Sequence, residues 1–126
     1  MELYLVRHAE AARGDPDELR PLTPAGREQA RSLGERLRRD GVRPDVILTS
    51  PLLRARETGE LLARELGAAS RPDERLAPGA TAAATGDGGD TVVVVAQQPD
   101  CGQIAAELRG GQEPAFPPAG VAAITL

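Results

Sequence analysis

The chain has 126 residues and a formal net charge of −4, and 40% of its residues are hydrophobic, which predicts one compact domain over residues 1–126. Only 2% of the residues are aromatic, and this acidic, aromatic-poor composition argues against a nucleic-acid partner. The longest purely apolar run covers residues 92–96, far short of the roughly 20 residues of a membrane span, and no signal peptide is recognisable, so we expect a cytoplasmic protein with no membrane attachment.

Five strands are predicted from short apolar or β-branched runs. The run at residues 2–6 alternates, as a half-buried strand does. The valine run at residues 91–96 does not alternate, which is typical of a strand buried on both faces. The expected strands cover residues 2–6, 45–49, 70–76, 91–96 and 121–126.

Three helices are predicted between these strands. Thr23-Pro24 places an N-cap residue before a proline at the first helical position, and Ser50-Pro51 repeats this signal. The expected helices run from 24 to Gly41, from 51 to Gly67 and from 100 to 108, with loops at 8–21, 80–90 and 110–118. Strands that alternate with helices predict a three-layer α/β/α fold, with a mostly parallel sheet flanked by helices.

Polar residues follow three of the predicted strands. Arg7-His8 ends the first strand, Ser50 follows the second, and Gln97 follows the valine-rich strand. Ligands of open α/β sheets bind beyond the carboxyl ends of the strands, so these residues are expected at one edge. Arg54 falls in the first turn of the second helix, where its guanidinium and the free N–H groups favour an anion such as phosphate.

Several motifs occur in a specific order along the chain. LVRHAEA, RPLTPAGREQA and ILTSPLLRARET precede a valine-rich strand that runs into a proline and a glycine. Together with the final segment PPAGVAAITL, they resemble the histidine phosphatase superfamily, most closely the small bacterial phosphohistidine phosphatases of the SixA type. The resemblance covers nearly the whole chain. It implies a phosphoglycerate mutase-like fold of minimal size and a metal-independent phosphatase with no cofactor.

The resemblance also implies roles for individual residues. His8, the only histidine, matches the nucleophile that forms a phosphohistidine intermediate. Arg7 and Arg54 match the arginines that clamp the phosphoryl oxygens. Arg20 is expected either to add a cation at the pocket rim or to form a loop salt bridge.

A plainer interpretation of Arg54 stays open. On the surface of its helix, this arginine would pair with Glu57 or Asp45 instead of binding phosphate.

One position departs from the family pattern. A second histidine normally follows the valine-rich strand, and this chain has Gln97 there. Glutamine can donate a hydrogen bond to a phosphoryl oxygen, but it cannot carry a charge or exchange a proton near pH 7. We therefore expect Gln97 to bind phosphate in an enzyme of weakened activity. The alternative is a degenerate pseudophosphatase that binds phosphate or a phosphoprotein without turnover.

The general acid of the family's larger members is also missing. Ala77 stands in the corresponding position. A missing acid costs most on esters with poor leaving groups, so the site is expected to favour phosphohistidine on a protein over alkyl phosphates. The nearest candidate acids are Glu10, Asp15, Asp17, Asp73 and Glu74.

Two further features are given no functional role. Cys101 is the only cysteine, which excludes an internal disulfide. A cysteine phosphatase would need an arginine at position 107, where the chain has Glu107, so Cys101 is expected to be a small buried residue. The segment 86–90 lacks the spacing of a calcium or phosphate-binding loop and is interpreted as a plain loop.

Overall fold

The computed structural model describes residues 1–86 and 88–126, which form a five-stranded sheet flanked by three helices. The strand order is β3-β2-β4-β1-β5. The first four strands of that order run parallel, and β5 is antiparallel to β1. The strands are β1 Glu2–Arg7, β2 Val46–Thr49, β3 Ser70–Pro72, β4 Thr91–Ala96 and β5 Val121–Thr125. The helices are α1 Pro24–Arg39, α2 Leu53–Leu66 and α3 Asp100–Arg109. The predicted α/β architecture is confirmed.

The valine-rich strand β4 lies at the centre of the sheet. It pairs with β1 on one side and β2 on the other, so its backbone hydrogen bonds are satisfied along both edges. All four valines of Val92–Val95 are fully buried. A strand covered on both faces has no solvent side, which explains why its sequence does not alternate.

Helices cover both faces of the sheet. On one face, Leu5, Leu48 and Val94 form a cluster with Ile104 of α3. On the opposite face, residues offset by one position, such as Ile47 and Val95, pack in a second cluster. That second cluster contains residues of α1 and α2, among them Leu33, Leu37, Ala55 and Leu62.

Helix α1 begins where the sequence predicts. Thr23 is its N-cap, and the Thr23 hydroxyl accepts a hydrogen bond of 2.9 Å from the Gly26 N–H. A Cβ at Gly26 would overlap the carbonyl oxygen of Glu10. The motif glycine therefore lets the first turn of α1 lie directly against the loop that follows His8.

Helix α2 begins later than predicted, at Leu53, and its N-cap Leu52 makes no side-chain cap bond. The Ser50 N–H still donates to the Val95 carbonyl at 2.8 Å, so the backbone at Ser50 continues the pairing of β2 with β4. The prediction of Ser50 as N-cap and Pro51 as first helical residue is wrong by two positions. Arg54 remains in the first turn.

Strand β3 is shorter than the predicted 70–76 because it ends at Pro72, and residues Glu74–Leu76 form a 3₁₀ turn. The Asp73 side chain accepts from the Arg75 N–H at 2.9 Å and closes that turn. In the predicted loop at 80–90, Ala82–Thr85 forms another 3₁₀ turn. Asp87 lies outside the described residues.

Within the described ranges, none of the helices has the length and apolarity that crossing a membrane requires.

Candidate functional site

The ends of the neighbouring strands β1 and β4 bring His8 and Gln97 together. The two strands are in parallel register through Arg7 and Ala96, and the His8 N–H donates to the Ala96 carbonyl at 2.9 Å. His8 and Gln97 are therefore the next residues along each strand. Both are buried, with 8% and 5% of their surfaces exposed. The site lies at the carboxyl edge of the sheet, where ligands of this architecture bind.

The imidazole of His8 is held in one orientation by its neighbour. Nδ1 lies 2.7 Å from the Ala9 carbonyl oxygen. A carbonyl only accepts, so Nδ1 carries the proton in neutral His8, and the lone pair is on Nε2. Ala9 is held in turn, because its N–H donates to the Thr58 hydroxyl at 3.0 Å. The geometry therefore makes Nε2 the ring nitrogen that carries the lone pair.

Burial lowers the pKa of His8 from 6.5 to about 4. The hydrogen bond to Ala9 opposes this shift, and the positive charges of Arg54, Arg7 and Arg20 reinforce it. Desolvation and neighbouring cations both disfavour the imidazolium. His8 is therefore neutral at pH 7, and Nε2 keeps its lone pair.

Arg54 reaches from the first turn of α2 to the loop that follows His8. Its Nη1 donates to the Asp17 carbonyl oxygen at 2.8 Å, and its Nη2 lies 3.1 Å from Asp17 Oδ2. The predicted alternative, pairing with Glu57 or Asp45, is wrong. Glu57 accepts from the Leu22 N–H, and Asp45 accepts backbone N–H groups at the start of β4.

Arg20 pairs with the same aspartate. Its Nη1 lies 3.0 Å from Asp17 Oδ1, and its Nε donates to the Ala12 carbonyl at 2.7 Å. The loop salt bridge considered for Arg20 is therefore present. The positive charge of Arg20 also helps to lower the pKa of His8.

Arg7 approaches the site from the end of β1. Its Nη1 donates to the Phe116 carbonyl at 2.9 Å. Its Nε is buried and has no hydrogen-bond partner. A buried donor without a partner is costly, and an incoming oxyanion would supply the missing acceptor.

Gln97 makes hydrogen bonds that the sequence did not predict. Its amide nitrogen donates to the Leu76 carbonyl at 3.2 Å and to Asp100 Oδ2. Its Oε1 is buried without a partner. Both amide hydrogens are therefore used within the protein, and the atom left over is an acceptor.

Asp100 is a buried residue that the sequence analysis missed as part of this arrangement. Besides Gln97, its Oδ2 accepts the N–H groups of Gly79 at 2.9 Å and Ala80 at 3.2 Å. The carboxylate thus joins the start of α3 to the segment that contains Ala77. The only local signal for it is an acidic residue after a proline at a helix start.

One prediction about the surroundings of the site concerns Cys101. Cys101 is fully buried, and burial raises the pKa of its thiol to about 12, which confirms a small buried residue. Among the described residues, no group of three or more histidine, cysteine and acidic side chains is placed to hold a metal ion.

Comparison with known proteins identifies related chains. Residues 3–80 match the family model of the histidine phosphatase superfamily, branch 1. The phosphohistidine phosphatase SixA of Escherichia coli strain K12 is 31% identical over the whole chain, which covers 86% of that protein. An uncharacterized protein of Picosynechococcus is 42% identical, over 89% of this chain and 75% of that protein.

A solved structure shows the same fold. The protein histidine phosphatase SixA complexed with tungstate superimposes with a TM-score of 0.88 at 29% identity. The match covers all of this chain and 88% of that one.

Proposed function

Because the chain is a SixA-like member of branch 1 of the histidine phosphatase superfamily, we propose that it hydrolyses phosphohistidine or another phosphomonoester through a phospho-His8 intermediate. The observation that carries this proposal is the state of His8. Its imidazole is neutral, its Nδ1 donates a hydrogen bond to the Ala9 carbonyl, and the positive charges of three arginines lower its pKa. Each of these favours Nε2 as a phosphoryl acceptor.

The reaction has two steps that share one phosphoryl group. In the first step, the Nε2 lone pair of His8 forms a bond to phosphorus, and the bond to the leaving nitrogen or oxygen breaks with its electron pair. In the second step, water attacks phosphorus, the bond to Nε2 breaks, and inorganic phosphate leaves. Arg7, Arg54 and Arg20 stabilise the negative charge on the phosphoryl oxygens in both steps.

Gln97 is a weak substitute for the histidine that the family pattern has at this position. Gln97 has no proton to exchange, and its amide hydrogens already bind Leu76 and Asp100. To donate to a phosphoryl oxygen it must leave one of those partners. Removing one transition-state donor costs about 10²- to 10³-fold in rate. We therefore expect slow turnover.

The leaving group determines which substrates can react in a site that has no general acid. Position 77 has no acidic side chain, and Ala77 ends a 3₁₀ turn there. When solvent protonates the ring of phosphohistidine, the imidazole leaves the phosphoryl group as a neutral molecule. An alkyl phosphate instead needs a proton from the enzyme for its leaving alcohol. The proposed partner is accordingly a protein that carries phosphohistidine.

A second candidate function rests on the same arginines. If Gln97 abolishes turnover, the site still offers an anion-binding cluster at the sheet edge. Arg7 Nε, which is buried without a partner, would then hold the phosphate of a phosphorylated protein without hydrolysing it.

Phosphate release tests the two candidates against each other. The substrates are a phosphohistidine protein and an aryl phosphate, and the chains are native, His8→Ala and Gln97→His. We expect slow release by the native chain, none above background by His8→Ala, and at least about 10-fold faster release by Gln97→His.

Other results separate the alternatives. A silent native chain that Gln97→His activates would favour the binding function. If no chain exceeds the His8→Ala background, hydrolysis at His8 is excluded.

A further inference from the structure

Asp17 binds two of the candidate phosphate-binding arginines at once. Oδ1 pairs with Arg20 at 3.0 Å and Oδ2 pairs with Arg54 at 3.1 Å. The Asp17 backbone carbonyl accepts a second hydrogen bond from Arg54 at 2.8 Å. A carboxylate that connects two guanidinium groups fixes the distance between them as well as their orientation.

The two partners differ in their exposure to solvent. The Arg54 side chain is only 9% exposed, whereas the Asp17 side chain is 61% exposed. A buried guanidinium with no counter-ion is strongly unfavourable, and Glu57, three residues further along α2, binds elsewhere. Glu57 accepts from Leu22 and lies 3.7 Å from Arg27. Asp17 is therefore the carboxylate that neutralises Arg54.

Asp17 occupies only part of the guanidinium of Arg54. The two contacts use one N–H on Nη1 and one on Nη2. Three of the five guanidinium N–H groups remain, and they include the Nε–H that takes part in bidentate binding of an oxyanion. A phosphoryl group can thus bind Arg54 while Asp17 stays in place.

We propose that Asp17 is a positioning residue, which holds Arg54 and Arg20 in the arrangement that clamps the phosphoryl oxygens, and is not the missing general acid. This inference rests on the proposed function. Arg20 and Arg54 lower the pKa of the Asp17 carboxyl through their hydrogen bonds, so Asp17 is ionised at neutral pH and has no proton to give. Arg7, Arg20 and Arg54 together outnumber Asp17, so this side of the site keeps positive charge for a phosphoryl dianion.

The experiment compares Asp17→Asn and Asp17→Ala on aryl phosphates whose phenol leaving groups differ in acidity. A positioning residue acts through the arginines that bind the phosphoryl oxygens, and every substrate has these oxygens. We therefore expect the same loss of kcat for every substrate in the series. The loss should be about 10- to 100-fold in kcat for Asp17→Ala. It should be smaller for Asp17→Asn, because the Asn oxygen still accepts one hydrogen bond.

Glu28→Gln is the matched control. Glu28 also pairs with an arginine, Arg31, but on the exposed face of α1, so its removal changes the net charge equally and should leave kcat unchanged. A loss for Asp17→Asn that grows with the pKa of the leaving phenol would instead identify Asp17 as the general acid. An unchanged or increased kcat in Asp17→Ala would show that the carboxylate does not position the arginines, or that it competes with phosphate.

A readout independent of turnover separates this inference from the proposed function. In the full chain, NMR of the arginine guanidinium groups reports whether Arg54 rotates freely. We expect separate Nη–H signals for Arg54 in the native protein and their loss in Asp17→Ala, with Glu28→Gln like the native chain. Unchanged Arg54 signals in Asp17→Ala would overturn the positioning role, even if the native chain hydrolyses no phosphate.

Discussion

At position 8, burial and a hydrogen bond act in opposite directions on one imidazole. Burial dominates, and the pKa of His8 falls to about 4, whereas an exposed histidine in the unfolded chain has a pKa near 6.5. Between these two values the unfolded chain binds a proton that the folded chain does not. Stability therefore falls as the pH is lowered through this window.

We expect the free energy of unfolding to fall by about 2 kcal/mol between pH 7 and pH 5 on account of His8 alone. Urea unfolding of the native chain and of His8→Gln at both pH values measures this, because the glutamine variant lacks the titrating group. An equal loss of stability in the two chains would contradict the lowered pKa. It would mean that His8 binds a proton as readily in the folded native chain as in the unfolded one.

We expect Asp100 to have a structural role in the site, as a hydrogen-bond acceptor. Its Oδ2 accepts from Gly79, Ala80 and Gln97, and Asp100→Ala would leave three donors without an acceptor. We expect this change to lower the free energy of unfolding by about 3 kcal/mol. Glu107→Ala, on the exposed surface of the same helix, should change it by less than about 0.5 kcal/mol. Similar losses in both variants would contradict a structural role for Asp100.

Among the elements, α2 packs unusually close to the sheet. A Cβ at Gly59 would overlap the Thr49 methyl group and lie 2.7 Å from the Ser70 hydroxyl. Gly59→Ala must push the helix away from β2 and β3, which should cost about 1–3 kcal/mol. Gly86→Ala is the control, since among the described residues beyond its chain neighbours the nearest atom to its added Cβ is the Ala83 carbonyl oxygen, at 3.8 Å. Thermal unfolding of the two variants compares them, and equal midpoints would contradict this packing.

The elements also show where sequence reasoning succeeds. Helix α1 carries its own start signal in Thr23-Pro24, and the β-branched run of β4 is typical of a buried strand. The starts and ends that were wrong depend on distant partners. The Ser50 N–H donates to the Val95 carbonyl and the Asp73 N–H donates to the Thr49 carbonyl, both at 2.8 Å, so pairing across the sheet decides where α2 starts and where β3 ends.

The site, like the helices and strands, has some features that the sequence predicts and others that it does not. That His8 and Gln97 meet follows from parallel strands, because neighbouring strands end at one edge. That Arg54 pairs with Asp17 does not follow, because 37 residues separate them in sequence and loop geometry decides the contact. The orientation of the Gln97 amide likewise depends on Asp100 and Leu76.

At the scale of the whole molecule, Cys101 offers a probe of cooperative unfolding. It is fully buried, and burial raises its pKa to about 12. The thiolate is the reactive form, so alkylation of the native chain at pH 8 should be at least about 10³-fold slower than that of the urea-unfolded chain. Mass spectrometry over time measures both rates. Rapid labelling without denaturant would show that α3 opens separately from the sheet.

The pairing of β1 with β5 places residues 1 and 126 side by side. The Met1 amino group donates to the Leu126 carbonyl at 3.0 Å, and the Leu126 N–H donates to the Met1 carbonyl at 2.7 Å. These residues lie at the start of β1, and His8 follows its opposite end. A tag, surface linker or fused domain attached at either terminus therefore emerges from the same point, on the side of the molecule opposite the site. Immobilising the protein through such an attachment would keep the edge of the sheet that carries His8 away from the support.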